Sequence, residues 1–282
     1  MDLLSRIEQS KQTRKLNLSG LRLTELPSLP DDLLELNCGM NRLSELPSLP
    51  PSLLRLHCAG NYLTSITNLP SGLLYLHCST NHLHTLTMPD SLKWVNCCEN
   101  MLSSFASFPS SLRSLSCCDN QLTQLPSFPE HLLYIHCPNN IIKVMPPLPP
   151  RLVTLICSNN DIQSLPPLPR TVNVLLCDMN QLATLPEIYG KLKEFSGAGN
   201  RWLKPFSNLM KQSYPVDAIN DFFQERQKIR IALVTSLMHL RCIFHAYLGL
   251  PEDILLCVGS YISGHTQPIL EQIKRVKQGV FP

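Results

Sequence analysis

Twelve cysteines and nine histidines are the residues with the most chemistry in this chain. Three pairs stand side by side, His57-Cys58, His77-Cys78 and His136-Cys137, and thiolate beside imidazole is the donor set of zinc sites. Their spacing argues against it. If each pair lies on a strand, its two side chains face opposite sides of the sheet and cannot converge on one ion. Eight cysteines (Cys38, Cys58, Cys78, Cys97, Cys117, Cys137, Cys157 and Cys177) recur at near-constant intervals in what is then the inward position. There a free thiol packs as a small hydrophobe. A column of unpaired thiols also points to a reducing compartment. Cys98 and Cys118 have the other parity and fall on the outer side of adjacent units. A metal or redox pair there is set against two partly exposed thiols, and the exposed thiols are the expectation.

No other catalytic pattern is present. The chain lacks a phosphate-cradling glycine loop, a His-Glu-x-x-His and a Gly-x-Ser-x-Gly, and its acidic residues are scattered. Neither an enzyme nor a bound cofactor or metal is expected.

The elements that must position these residues follow from a repeat. Asparagine recurs at 41, 61, 81, 100, 120, 140, 160, 180 and 200, a spacing of twenty broken once by a nineteen. Leucine-like residues stand eight before it (Leu33, Leu53, Leu73, Leu92), five before (Leu36, Leu56, Leu76, Val95) and two after (Leu43, Leu63, Leu83, Leu102). A further unit precedes them, with Leu16 and Leu18 in frame and Leu21 in place of the Asn. The unit reads L-x-x-L-x-C-x-x-N-x-L, a leucine-rich repeat. One such unit cannot bury its apolar edge, whereas a stack forms a continuous core with one short parallel strand per repeat. The Asn amide is suited to bonding the otherwise unpaired backbone groups of the bend. Return segments such as Leu46-Pro47-Ser48-Leu49-Pro50 and Leu165-Pro166-Pro167-Leu168-Pro169 must be extended, because proline lacks an amide hydrogen and fixes its own φ. The predicted fold is an α/β-class repeat solenoid, with parallel strands on the concave side, a Pro-rich convex side and a helical C-terminal unit.

The twenty-residue unit with its L-P-x-L-P return resembles the LPX-type leucine-rich-repeat effectors of bacterial pathogens, the YopM and IpaH group, over residues 16 to about 200. The resemblance implies a virulence protein secreted by a bacterium without a cleaved signal peptide and acting in the host cytoplasm. Half of that group adds a ubiquitin-ligase domain with a Cys-x-Asp nucleophile. Neither Cys242-Ile243-Phe244 nor Cys257-Val258-Gly259 supplies the aspartate, so ligase activity is not carried over.

Strand alternation puts the residues six and four before each Asn on the concave face. This collects Arg55, His57, Tyr75, His77, Trp94, Tyr134 and His136, followed by the apolar Ile156, Val174 and Leu176. Aromatics and arginine are the usual anchors of protein interfaces. The competing reading is that the rings stack along the ladder and only stabilise the sheet. Protein binding is the expectation.

Composition agrees with a scaffold. Of 282 residues, 44% are hydrophobic and 16% charged, with a net charge of +3, which permits a large core and does not suggest a nucleic-acid partner. The N-terminus lacks the basic and apolar runs of a secretory signal. Ile231 to Leu250 carries His239, Arg241 and His245 and reads as a buried helix rather than a membrane span.

The expected division is an N-terminal cap at 1–15 with a short helix from Leu3 to Lys11, a solenoid at 16–202, and a helical unit at 203–282. Within that unit, helices are expected from Asp217 to Leu248, from Pro251 to Ile262 and from Pro268 to Gln278, capping the last strand. The stretch Leu250-Pro251-Glu252-Asp253-Ile254 also resembles the opening of an F-box, which docks substrate receptors onto cullin ubiquitin ligases. A rival reading therefore makes the chain a substrate adaptor that recruits a cullin-ligase adaptor through Leu250, Pro251 and Ile254. A distant third is an enzyme using Cys98 and Cys118.

Overall fold

The computed structural model describes residues 3–211 and 216–231. The chain divides into two compact units, Met1–Phe223 and Gln224–Pro282. The F-box-like segment and the two helices expected beyond it lie outside the described residues. So does the expected first tail helix past residue 231; from 216 to 231 the chain is helical.

The first unit opens with helix α1 (Leu3–Thr13), two residues longer than the sequence implies. Ten three-residue strands follow: β1 (Lys15–Asn17), β2 (Glu35–Asn37), β3 (Arg55–His57), β4 (Tyr75–His77), β5 (Trp94–Asn96), β6 (Ser114–Ser116), β7 (Tyr134–His136), β8 (Thr154–Ile156), β9 (Val174–Leu176) and β10 (Glu194–Ser196). They form one parallel sheet in sequence order, with like positions paired throughout. The nineteen-residue unit keeps this register, since Tyr75 pairs with Trp94. Its missing residue is taken from the convex return instead.

Only the middle residue of each strand points inward. Leu16, Leu36, Leu56, Leu76, Val95, Leu115, Ile135, Leu155, Leu175 and Phe195 form one line of a continuous core, which the leucines eight before each Asn and the eight ladder cysteines complete. On the convex side the proline three residues before the inward leucine accepts that leucine's amide, as in Leu53 N–H to Pro50 at 3.0 Å and Leu132 N–H to Pro129 at 3.1 Å. Proline is well placed there because the turn uses its carbonyl and asks nothing of its nitrogen.

The repeat asparagines are a buried polar ladder. Asn140 Oδ1 accepts the Leu122 amide at 2.9 Å, while its Nδ2 donates to the Cys117 carbonyl at 3.0 Å and to the Cys137 carbonyl at 3.2 Å. Each Asn thus ties its own bend to that of the preceding repeat. Just before it stands a left-handed residue: Met40, Thr80, Glu99, Asp119, Asn139, Asn159 and Met179 all have φ between 51° and 56°. The amide of that residue is held by the next repeat, as in Thr80 N–H to Cys98 O at 2.9 Å, which fixes a backbone geometry that costs a non-glycine residue about 1 kcal/mol.

Both ends of the described solenoid have partners. At the first strand Arg6 donates to the Asn17 carbonyl at 2.8 Å, and Leu3 and Ile7 pack on the core. After β10, Trp202 Nε1 donates to the Gly197 carbonyl at 2.7 Å, and Phe206 in the short helix α2 (Phe206–Leu209) is buried with Ile219 and Phe223. Asn220 holds both the amide and the carbonyl of Leu192, at 3.0 and 2.9 Å. In the earlier repeats the matching amide bonds a proline carbonyl of its own repeat, as Val172 does to Pro169 at 3.1 Å, and the matching carbonyl takes a hydroxyl of the next, as Leu152 does from Thr171 at 2.6 Å, so one Asn side chain replaces both.

Candidate functional site: the concave face

The outer two residues of each strand, six and four before the Asn, share one face, and the structure brings all ten candidate residues onto it. The face changes character along its length. At β1 to β3, Glu35 lies between two cations, 3.0 Å from Lys15 and 2.5 Å from Arg55. A hydrogen bond from Lys15, together with the charges of Lys15 and Arg55, holds its carboxyl below the usual value. Arg55 also lies over the Tyr75 ring at 5.1 Å, within cation–π range.

Next comes a ring-rich stretch. His57 and His77 stack with centroids 4.4 Å apart, and Trp94 meets His77 edge-on at 5.9 Å. His57 Nδ1 donates to Asn37 Oδ1 at 2.8 Å, and His77 Nε2 lies 2.9 Å from the Ser79 hydroxyl. These residues bound an open groove of about 600 Å³ from Lys15 to Trp94. Tyr75 and Tyr134 are exposed, at 39% and 46%, while Trp94 is half-buried. The half-buried Ile156, Val174 and Leu176 follow as an apolar strip. Rings do stack along the ladder, as the structural reading of the aromatics requires, yet the exposed Tyr75 and Tyr134 gain little by it.

Burial pushes His57, His77 and His136 below the usual histidine range, and the neighbouring His57 lowers His77 further. The unfolded chain therefore binds protons before the folded one does. Stability is complete above the unfolded value of about 6.5 and is lost as pH falls through the lower folded values. We expect the melting temperature to drop on acidification below about pH 6.5, and His57→Asn/His77→Asn to flatten that drop. An unchanged slope in the double variant would remove the histidine stack as its cause.

The ladder thiols are as expected. All eight are free and buried, and burial pushes Cys38, Cys97 and Cys137 up to about 12 and Cys58, Cys78, Cys117 and Cys157 well above the thiol norm. Cys98 and Cys118 correct the sequence reading. They are disulfide-bonded to each other, with Cα atoms 4.5 Å apart, and Cys98 is buried. In-register stacking sets identical outward positions one strand spacing apart, which is within disulfide reach. The histidines need a correction as well. His136 does not meet its neighbour Cys137, but it does meet this pair, with its ligand nitrogen and the two sulfurs all within 4.8 Å of one another. Thiol labelling without denaturant is expected to spare the eight ladder cysteines and to reach Cys98 and Cys118 only after reduction. Rapid modification of Cys58 or Cys137 would contradict the register.

A second polar cluster was not anticipated. Asp178 Oδ1 accepts from the Ser196 hydroxyl at 2.5 Å and from the Ala198 amide at 2.8 Å, and Asp119, Asn139 and Asn159 form a chain of amide bonds at 2.7 and 2.8 Å. Their offsets of one and two before the repeat Asn were the available signal.

Neither a protein-family model nor a curated protein matches the chain. Solved structures do. The chain is similar to YopM, a leucine-rich effector protein from Yersinia pestis, at 32% identity and a TM-score of 0.67, over 70% of this chain and 58% of that one. It thus spans less than two thirds of the YopM chain. It is also similar to a Shigella effector leucine-rich-repeat domain at 32% identity and a TM-score of 0.51, covering 56% of this chain and 74% of that domain. A third match, at 25% identity and a TM-score of 0.53, is the functional domain of InlJ from Listeria monocytogenes, which includes a cysteine ladder; it covers 61% of this chain and 43% of that one. A shared register, the L-P-x-L-P return and these likenesses lead to one conclusion: the repeat domain of this chain belongs to the bacterial leucine-rich-repeat effectors, and it is a protein-binding scaffold.

Proposed function

We propose that the chain is a non-enzymatic bacterial effector that binds a host protein in the host cytoplasm through its concave face. One observation supports this above the others. The outward strand positions carry Arg55, Tyr75, Trp94 and Tyr134 on a single face, although the core and the Asn ladder are complete without them. Large side chains that the fold does not need are the anchors of interfaces. The graded face suits a partner with an acidic group near Arg55 and an apolar ridge near Val174.

Capture from host-cell lysate on immobilised full-length chain tests the proposal. Trp94→Ala or Tyr134→Ala is expected to weaken binding of the captured protein by about 2 kcal/mol, near thirtyfold, with the melting temperature unchanged. A Trp94→Ala chain that melts early yet retains normal binding would assign the ring to structure. An adaptor of cullin ligases held by the wild type and lost in Pro251→Ala/Ile254→Ala would favour the recruitment reading.

A further inference from the structure

The Cys98–Cys118–His136 cluster is drawn from three consecutive repeats and is separate from the groove between Lys15 and Trp94. We propose that, once the disulfide is reduced, these three residues hold one zinc-class cation on the concave face, leaving a fourth coordination position open.

The donor set comes first. Two thiolates and an imidazole are borderline-to-soft ligands, which favour zinc or monovalent copper over magnesium or calcium. Geometry is the second argument. Zinc–sulfur bonds of about 2.3 Å and zinc–nitrogen bonds of about 2.0 Å place tetrahedral ligand atoms roughly 3.5 to 3.8 Å apart. The three atoms already lie within 4.8 Å of one another, on backbone that the parallel ladder fixes, so side-chain rotation can complete the site. Access is the third. His136 is half-buried on the outer face, whereas the ladder thiols point into a closed core. With only three protein ligands, the free chain would complete the shell with water, as in open zinc sites.

Disulfide and cation compete for the same two sulfurs. Two equivalents of a small thiol such as glutathione open the disulfide, giving two protein thiols and one oxidised small-molecule disulfide. Cation binding then displaces one proton from each of those thiols. The site is therefore open to metal under reducing conditions and closed under oxidising ones.

The test uses the full chain, reduced with a phosphine that is then removed, and titrated with Co²⁺ alone before displacement by Zn²⁺. One equivalent is expected to produce thiolate-to-cobalt charge-transfer absorption that zinc abolishes. Cys98→Ser and Cys118→Ser should each eliminate that absorption, and His136→Ala should weaken binding by about tenfold or more. Because a serine variant could fail to fold, the oxidised wild type is the matched control, and it should take up no cobalt. Absence of the band in reduced wild type overturns the proposal. So does an equal band in the oxidised chain, or in folded serine variants, since the metal would then sit on other thiols.

Discussion

Replacing Asn140 with alanine is expected to cost about 2 to 4 kcal/mol of stability, out of proportion to the few atoms removed. The cost has an identifiable source. Cys117 and Cys137 carbonyls each accept two repeat asparagines, from their own repeat and the next, so each keeps one donor when Asn140 is lost. The Leu122 amide, buried with its side chain, loses its acceptor outright. An orphaned buried N–H is therefore the dominant penalty. Asn140→Asp separates the two halves of the interaction. It keeps the acceptor for Leu122 but turns a carboxylate toward two carbonyls, so it should be destabilised at neutral pH and should recover as acid protonates the new side chain. Urea unfolding of the three chains at two pH values makes the measurement. Midpoints matching wild type in both variants would show that the ladder contributes nothing.

Leu76→Ala is expected to be at least as damaging, at about 2 to 5 kcal/mol, through the cavity it opens. Leu76 is fully buried and lies between Leu56 and Val95 in the line of inward strand residues. A solenoid responds to such a loss locally, because each repeat touches only its neighbours. Hydrogen exchange should accelerate first in β3, β4 and β5 and reach distant repeats only as the whole chain unfolds. Uniform acceleration from β1 to β10 would show instead that the stack unfolds as a single block.

The period of the asparagines made most of this architecture legible. Once Asn marks the bend, Leu36 and Cys38 must point inward and Arg55 and His57 outward, and the structure has them so. Two kinds of feature escaped. The left-handed residue before each Asn is glycine, asparagine or aspartate in five repeats but methionine, threonine or glutamate in the other four, so residue type gives only part of the signal; a bond to the next repeat imposes the geometry on the rest. The pairing of Cys98 with Cys118 escaped for a different reason. Parity correctly put both thiols on the outer side, but it says nothing of the short distance between like positions, and that distance turns two thiols into one bond. His136 was lost in the same way, since testing it only against Cys137, its neighbour in the chain, hid its neighbours across the sheet.

The nineteen-residue unit carries an evolutionary consequence. The convex return between Asn81 and Asn100 is one residue shorter than the others, yet Tyr75 pairs with Trp94 in register and the Leu83 amide finds Asn100 at 2.9 Å. Pairing depends on like positions and tolerates a change of contour length on the outer side. Recombination between repeats in the gene can therefore add or delete whole units, each presenting the same bonds to its new neighbour. The reach of the recognition face is free to drift along a lineage while the chemistry that holds it together stays constant.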